Sequence, residues 1–165
     1  RVEAVLASIK EKYEYVGKTF SIVVPEKIEQ IIEEGQALKH CLDRSDRYFE
    51  RIANQESYIV FLRRTKAMEQ PYYTLEIEPD GTTRQKRTVG DNQNNDYHRA
   101  EKFLKKWQAA IRPRLSQEDF ERQEISRQLR MYELESLRND KVTVHGGIHA
   151  GELLADILEA DLMEA

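Results

Sequence analysis

The stretch from Tyr58 to Gln93, YIVFLRRTKAMEQPYYTLEIEPDGTTRQKRTVGDNQ, constrains the fold more than any other part of this chain. It is the one place where period-two patterning and turn chemistry agree. Tyr58–Arg64 is an almost wholly apolar run, which suits a strand covered on both faces or placed in the middle of a sheet. Residues 72–78 alternate, with Tyr73, Leu75 and Ile77 on one face and Thr74, Glu76 and Glu78 on the other. Pro79-Asp80-Gly81 is a turn: proline fixes the first corner and glycine takes the left-handed position. A three-residue loop of this kind sets the hairpin register. It predicts Glu76 opposite Arg84, Leu75 opposite Gln85, Thr74 opposite Lys86 and Tyr73 opposite Arg87. Glu76 and Arg84 then form an exposed cross-strand ion pair. Gln85 and Arg87 fall on the apolar face of Tyr73 and Leu75, where polar groups need partners or mark a site.

The flanking segments read as helices. Val2, Val5, Leu6, Ile9 and Tyr13 recur at helical spacing, and Gly17 is a plausible stop. Residues 19–24 are short and β-branched, bounded by Gly17 and Pro25, and read as a strand or extended arm. Pro25 opens a helix with Ile28, Ile31, Ile32, Leu38 and Leu42 in its stripe, and a second helix over residues 43–54 shows Tyr48, Phe49 and Ile52. Residues 96–111 follow, with Ala100, Phe103, Leu104 and Trp107 facing inward and Pro113 ending the helix. Ser116 and Asp119 form a capping-box-like start for a charge-dense helix to about residue 137, whose thin seam of Ile125, Leu129, Tyr132 and Leu137 suits an extension or another chain. The reading is α+β: a small, three- to four-stranded, mainly antiparallel sheet packed on helices. It divides into a core over 1–112 and a helical C-terminal extension over 113–165.

Composition bounds the function. Apolar residues make up 39% and charged residues 34%, the former below and the latter above globular averages of about 45–50% and 25%. The excess charge belongs on helix faces or in an extension. No run of about 18 apolar residues occurs, so no membrane association is expected. A single cysteine, Cys41, forms no intrachain disulfide and fits a reducing cytoplasm. One cysteine and four scattered histidines match no zinc-site spacing, so neither a metal nor another cofactor is expected. The chain opens on Arg1, which suggests a piece of a longer protein. The formal net charge of −4 hides a middle block, 60–114, where basic residues exceed acidic ones by five. Either a local phosphate-binding patch results, or basic and acidic blocks neutralise one another within the fold.

By residue 92 a family pattern is present. EGQALKHCL (34–42), YIVFLRR, PYYTLEIEPDGTTRQKRTVGDNQN and FLKKW (103–107) together resemble the PcfJ-like family over about residues 24–108. The resemblance implies a setting on conjugative plasmids, other mobile elements or phages, and no defined activity. It singles out Leu38, His40, Cys41, Tyr48, Phe61, Leu62, Arg63, Thr74, Leu75, Glu76, Gln85 and Asn92. The turn LDRSDRY lacks the glycine common in such sequences, and the basic run Arg84–Arg87 carries more charge than some.

Three kinds of site follow. His40, Cys41, Glu76, Gln85, Arg87 and Asn92 are the candidates for chemistry on a nucleotide or nucleic acid, with Glu76 as base and Arg87 and Gln85 gripping phosphate or a base edge. His40 and Cys41 are neighbours about 100° apart on a helix, a poor dyad with each other. The alternative is a bonded structural network and a buried structural cysteine. Arg63, Arg64, Arg84, Lys86, Lys102, Lys105 and Lys106, with Lys66 and Arg99, are candidates to track a nucleic-acid backbone, against the alternative of a solvated charged face. The expected partner is nucleic acid or a DNA-processing protein, and the acidic helix 116–138 offers a third, protein-binding possibility.

Overall fold

The computed structural model describes residues 1–38, 45–88 and 97–165. In chain order the elements are α1 (Val2–Tyr13), β1 (Tyr15–Val16), β2 (Phe20–Val23), α2 (Ile28–Leu38), α3 (Ser45–Ala53), β3 (Tyr58–Arg64), β4 (Tyr73–Ile77), β5 (Thr83–Arg87), α4 (Tyr97–Ile111), α5 (Gln117–Asn139) and α6 (Leu154–Asp161). The strands form one antiparallel sheet in the order β1-β2-β3-β4-β5. The fold is therefore α+β as expected, with five strands where three or four were predicted. The surplus comes from residues 15–23, which close into a hairpin with Gly17 in its turn. Gly17 does not cap α1, which ends at Tyr13. A side chain there would place its Cβ 2.5 Å from the Phe20 carbonyl oxygen, so only glycine fits.

β3 sits at the centre of the sheet, and its apolar run is buried on both faces. The face bearing Tyr58, Val60, Leu62, Tyr73, Leu75 and Ile77 belongs to the main core. Tyr13 of α1 packs on Tyr58 with ring centres 5.5 Å apart, and Phe103 of α4 packs on Phe20 at 5.6 Å. Trp107, fully buried, donates its indole N–H to the Tyr13 carbonyl at 2.8 Å. That bond satisfies the one polar atom of the largest core side chain and ties α4 to the end of α1.

The β4–β5 hairpin starts in the predicted register and then leaves it. Glu78 N–H donates to Thr82 O at 2.7 Å, and Ile77 pairs with Thr83. At the next step the register slips: Glu76 faces Gln85, Leu75 faces Lys86 and Thr74 faces Arg87. Arg84 is the extra residue of a β-bulge. Because side chains alternate with period two, a one-residue slip moves each following side chain to the other face. Gln85 and Arg87 consequently lie with Thr74 and Glu76, not with Tyr73 and Leu75, and the predicted opposition of Glu76 to Arg84 and of Thr74 to Lys86 does not occur.

Gly81 adopts φ +93° in the turn, and an added Cβ would lie 3.0 Å from Ile111 Cδ1. Gly81→Ala should cost about 1–2 kcal/mol from the left-handed backbone alone, seen as a lower urea midpoint with an unchanged slope.

Candidate functional site

The face of the sheet carrying Thr74, Glu76 and Glu78 is not solvated, although its residue types suggested so. Glu76 is 2% exposed and Glu78 0%. Two helices cover this face with charge. α3 brings Arg51, whose Nη1 lies 3.0 Å from Glu76 Oε2 and whose Nη2 lies 2.7 Å from Glu133 of α5. From α5 comes Arg130, whose Nε donates to Glu78 Oε2 at 2.7 Å and Nη2 to Oε1 at 3.2 Å. The bulged Arg84 reaches between them: its Nε donates to Glu78 at 2.6 Å and its Nη2 to Ser126 O and Oγ at 3.0 and 3.1 Å. Arg84 Nη1 lies 2.9 Å from Glu56 Oε2 but out of line for a hydrogen bond.

Glu76 is saturated. Ser57 Oγ donates to Oε2 at 2.6 Å beside Arg51, and Gln85 Nε2 donates to Oε1 at 3.0 Å. Gln85 also lies 3.4 Å from the Tyr48 hydroxyl, whose pKa is pushed up to about 12 by burial, with the Glu76 charge adding to it. Glu78 behaves differently. Burial is its largest single influence and pushes the carboxyl up, but the bonds from Arg130, Arg84 and Gln123 together outweigh it, and the carboxyl titrates below its ordinary value. A carboxylate bonded this fully is a poor proton acceptor. The cavity among Arg51, Glu76, Arg84, Gln85, Arg130 and Glu133 measures about 30 Å³, far under the several hundred Å³ of small-molecule sites.

The helix seam that docks here is polar. Asp119, Gln123, Ser126, Arg130 and Glu133 recur at spacings of three and four, so they share one stripe of α5. Asp119 meets Lys12 of α1 at 2.8 Å, and Gln123 Nε2 donates to Glu78 at 2.8 Å. Ser116 caps α5 in a capping box with Asp119, as its sequence signals. The apolar Ile125, Leu129, Met131 and Tyr132 are left exposed, Tyr132 at 73%.

The predicted residues therefore divide. Tyr48, Glu76 and Gln85 meet in one cluster under α3, on the face that also carries Phe61, Thr74 and Arg63. Arg87 lies on that face too, but its Nη1 binds Asp161 of α6 at 2.9 Å. His40, Cys41 and Asn92 lie outside the described residues. Of the predicted basic set, Arg63 is buried and paired with Glu34 through both guanidinium ends, one at 2.7 Å. Arg84 is buried in the cluster above, and Lys86, 1% exposed, pairs with Asp161 at 3.1 Å. Burial removes these three from any exposed basic surface. Arg64, Lys102, Lys105 and Lys106 are exposed; Lys105 donates to the Glu164 carbonyl at 2.7 Å.

Arg64 stacks over the Tyr72 ring at 4.0 Å, Tyr72 is parallel to Phe20 with centres 6.0 Å apart, and Arg99 lies 5.9 Å over Phe20. Two exposed guanidinium groups thus share one buried aromatic pair. Lys102 and Lys106 continue the Arg99 ridge of α4 at helical spacing. Sequence reasoning missed Arg51, Glu56, Glu78, Ser126, Arg130, Glu133 and Asp161. The polar stripe of α5 was the visible signal for Ser126, Arg130 and Glu133.

Among the described residues no group of three His, Cys, Asp or Glu side chains is placed to hold a metal, and no helix is long and apolar enough to cross a membrane. No curated protein and no solved structure matches the chain. A family model described as PcfJ-like protein matches residues 2–102, taking in α1, the whole sheet and the Glu76 cluster. On that match, the chain belongs to the PcfJ-like protein family.

Proposed function

We propose that this chain is a non-enzymatic binding module of a mobile-element protein, acting in the cytoplasm and contacting nucleic acid through its phosphate backbone. The observation that carries the reading is the pair of exposed guanidinium groups, Arg64 and Arg99, on the Phe20–Tyr72 rings, with exposed Lys102 and Lys106 continuing the Arg99 ridge of α4. Stacking on a buried ring holds a guanidinium in place at the surface, and Arg64 and Arg99 are both exposed there, which suits phosphate. Phe20 and Tyr72 are themselves buried, so they offer no face for base stacking, and the contact expected is with phosphates. The burial of Glu76 and its three hydrogen bonds favour binding over the alternative of an enzyme with Glu76 as base.

A labelled ~20-nucleotide strand and its duplex should bind at low salt. The plot of log K against log salt should fall with a slope of about −3 to −5, for four or five phosphates neutralised. Absence of binding at ~20 mM salt would contradict the reading. A second reading, docking of a DNA-processing protein, is favoured by exposed Ile125, Leu129 and Tyr132 on α5. It predicts partner binding that Ile125→Ser with Leu129→Ser abolishes while DNA binding persists.

A further inference from the structure

Among the strands of the described residues, β5 has a neighbour on one side only. The outward N–H and C=O groups of such a strand invite pairing by another chain unless something covers them. Residues 161–165 cover them here. Thr83 N–H donates to Met163 O at 2.8 Å and Met163 N–H donates to Thr83 O at 2.9 Å, one reciprocal antiparallel bridge. Further along, the partner of Lys86 N–H is a side chain: Asp161 Oδ2 accepts it at 2.7 Å. The same carboxylate lies 3.1 Å from Lys86 Nζ and 2.9 Å from Arg87 Nη1. The edge therefore reads two features two residues apart, a carboxylate and then a residue in extended backbone whose side chain, Met163, is buried.

We propose that the β5 edge is a docking site for a peptide with an acidic residue at the end of a helix, as Asp161 is, two positions before an apolar residue in extended backbone, and that residues 161–163 are its intramolecular occupant. The chemistry of the occupant defines that of the partner: main-chain bonds supply the pairing, and Lys86 and Arg87 select the carboxylate. Side chains add to the hold of the occupant, Gln108 Nε2 donating to Met163 O at 3.0 Å and Lys86 Nζ to Asp161 O at 2.6 Å, but its main-chain pairing is slight beside that of the sheet. It has one backbone bridge, where β2 and β4 meet β3 along ladders of four and five residue pairs. The connection behind it, residues 145–153, is exposed throughout. Tethering keeps the occupant seated by high effective concentration, so a partner segment competes only when the tether-borne strand opens.

Two measurements on the full chain test this. Native-state hydrogen exchange should show the Thr83 and Lys86 amides opening about 100-fold more often than those of β3; equal protection overturns the proposal. A labelled peptide of residues 157–165 should bind the Met163→Pro chain, which lacks the N–H donated to Thr83, at least about tenfold tighter than wild type. The same peptide carrying Asp161→Asn should lose that binding. No binding to the Met163→Pro chain, or equal binding of the two peptides, overturns it.

Discussion

Glu78→Ala is expected to lower the thermal midpoint by about 6–20 °C, from a loss of about 3–5 kcal/mol in a domain of this size. Glu78 is fully buried and bonded to Arg84, Arg130 and Gln123. Truncation leaves two guanidinium groups in the interior with their main counter-charge gone, and that penalty, not the net worth of the pairs, sets the size of the effect. The network as a whole is a weak source of stability, since desolvation offsets most of the attraction. Replacing Glu78 and Arg130 together by Leu and Met should therefore recover part of the loss, and a double-mutant cycle read by urea midpoints checks it. The pH dependence follows from the direction of the shift. Because the folded carboxyl titrates below its ordinary value, its contribution is complete above the unfolded pKa of about 4.3 and is lost as pH falls through the lower folded value. Glu78→Gln should accordingly be less sensitive to acid than wild type below about pH 4.3.

Trp107→Ala is expected to cost about 3–5 kcal/mol by a different route, loss of buried apolar contact plus a cavity. Trp107 is fully buried and its indole N–H is bonded to the Tyr13 carbonyl. Trp107→Phe keeps most of the volume and removes the donor, so it should cost less, about 1–3 kcal/mol for the unpaired carbonyl and lost packing. As the chain has one tryptophan, wild-type fluorescence should shift to the red in the same transition that circular dichroism records. Non-coincident transitions would show α4 leaving the sheet separately.

The strands and the turn were legible because their signals are local. Tyr58–Arg64 and residues 73–77 carry their own periodicity, and Pro79-Asp80-Gly81 carries its own backbone preferences. The bulge at Arg84 was not, because Arg84 turns toward Glu56 and Ser126, which come from distant parts of the chain, as well as toward Glu78 of its own hairpin. One residue of slip then reversed the faces assigned to Gln85, Lys86 and Arg87. The docking of α5 on the sheet was missed for a related reason. An apolar seam marks the inner face of a helix only when its partner surface is apolar. Here the sheet presents Glu76, Glu78 and Arg84, so α5 docks with Gln123, Ser126 and Arg130 inward and leaves Ile125 and Tyr132 outside. The excess of basic residues over 60–114 is divided between the two alternatives read from composition. Arg63, Lys86 and Arg87 pair with carboxylates from other blocks and Arg84 with Glu78 of its own block and Glu56 of another, whereas Arg64, Arg99, Lys102 and Lys106 are exposed at the surface.

The salt dependence of DNA binding by one variant separates the surface cations from the buried ones. Replacing Arg64, Arg99, Lys102 and Lys106 together by Ala leaves the buried ion pairs untouched. It should flatten the salt slope by about 3–4 units and weaken binding at low salt by at least about 100-fold, with little change in thermal midpoint. A variant that keeps the wild-type slope and affinity would contradict the account, since the exposed cations would then not be the ones that meet phosphate.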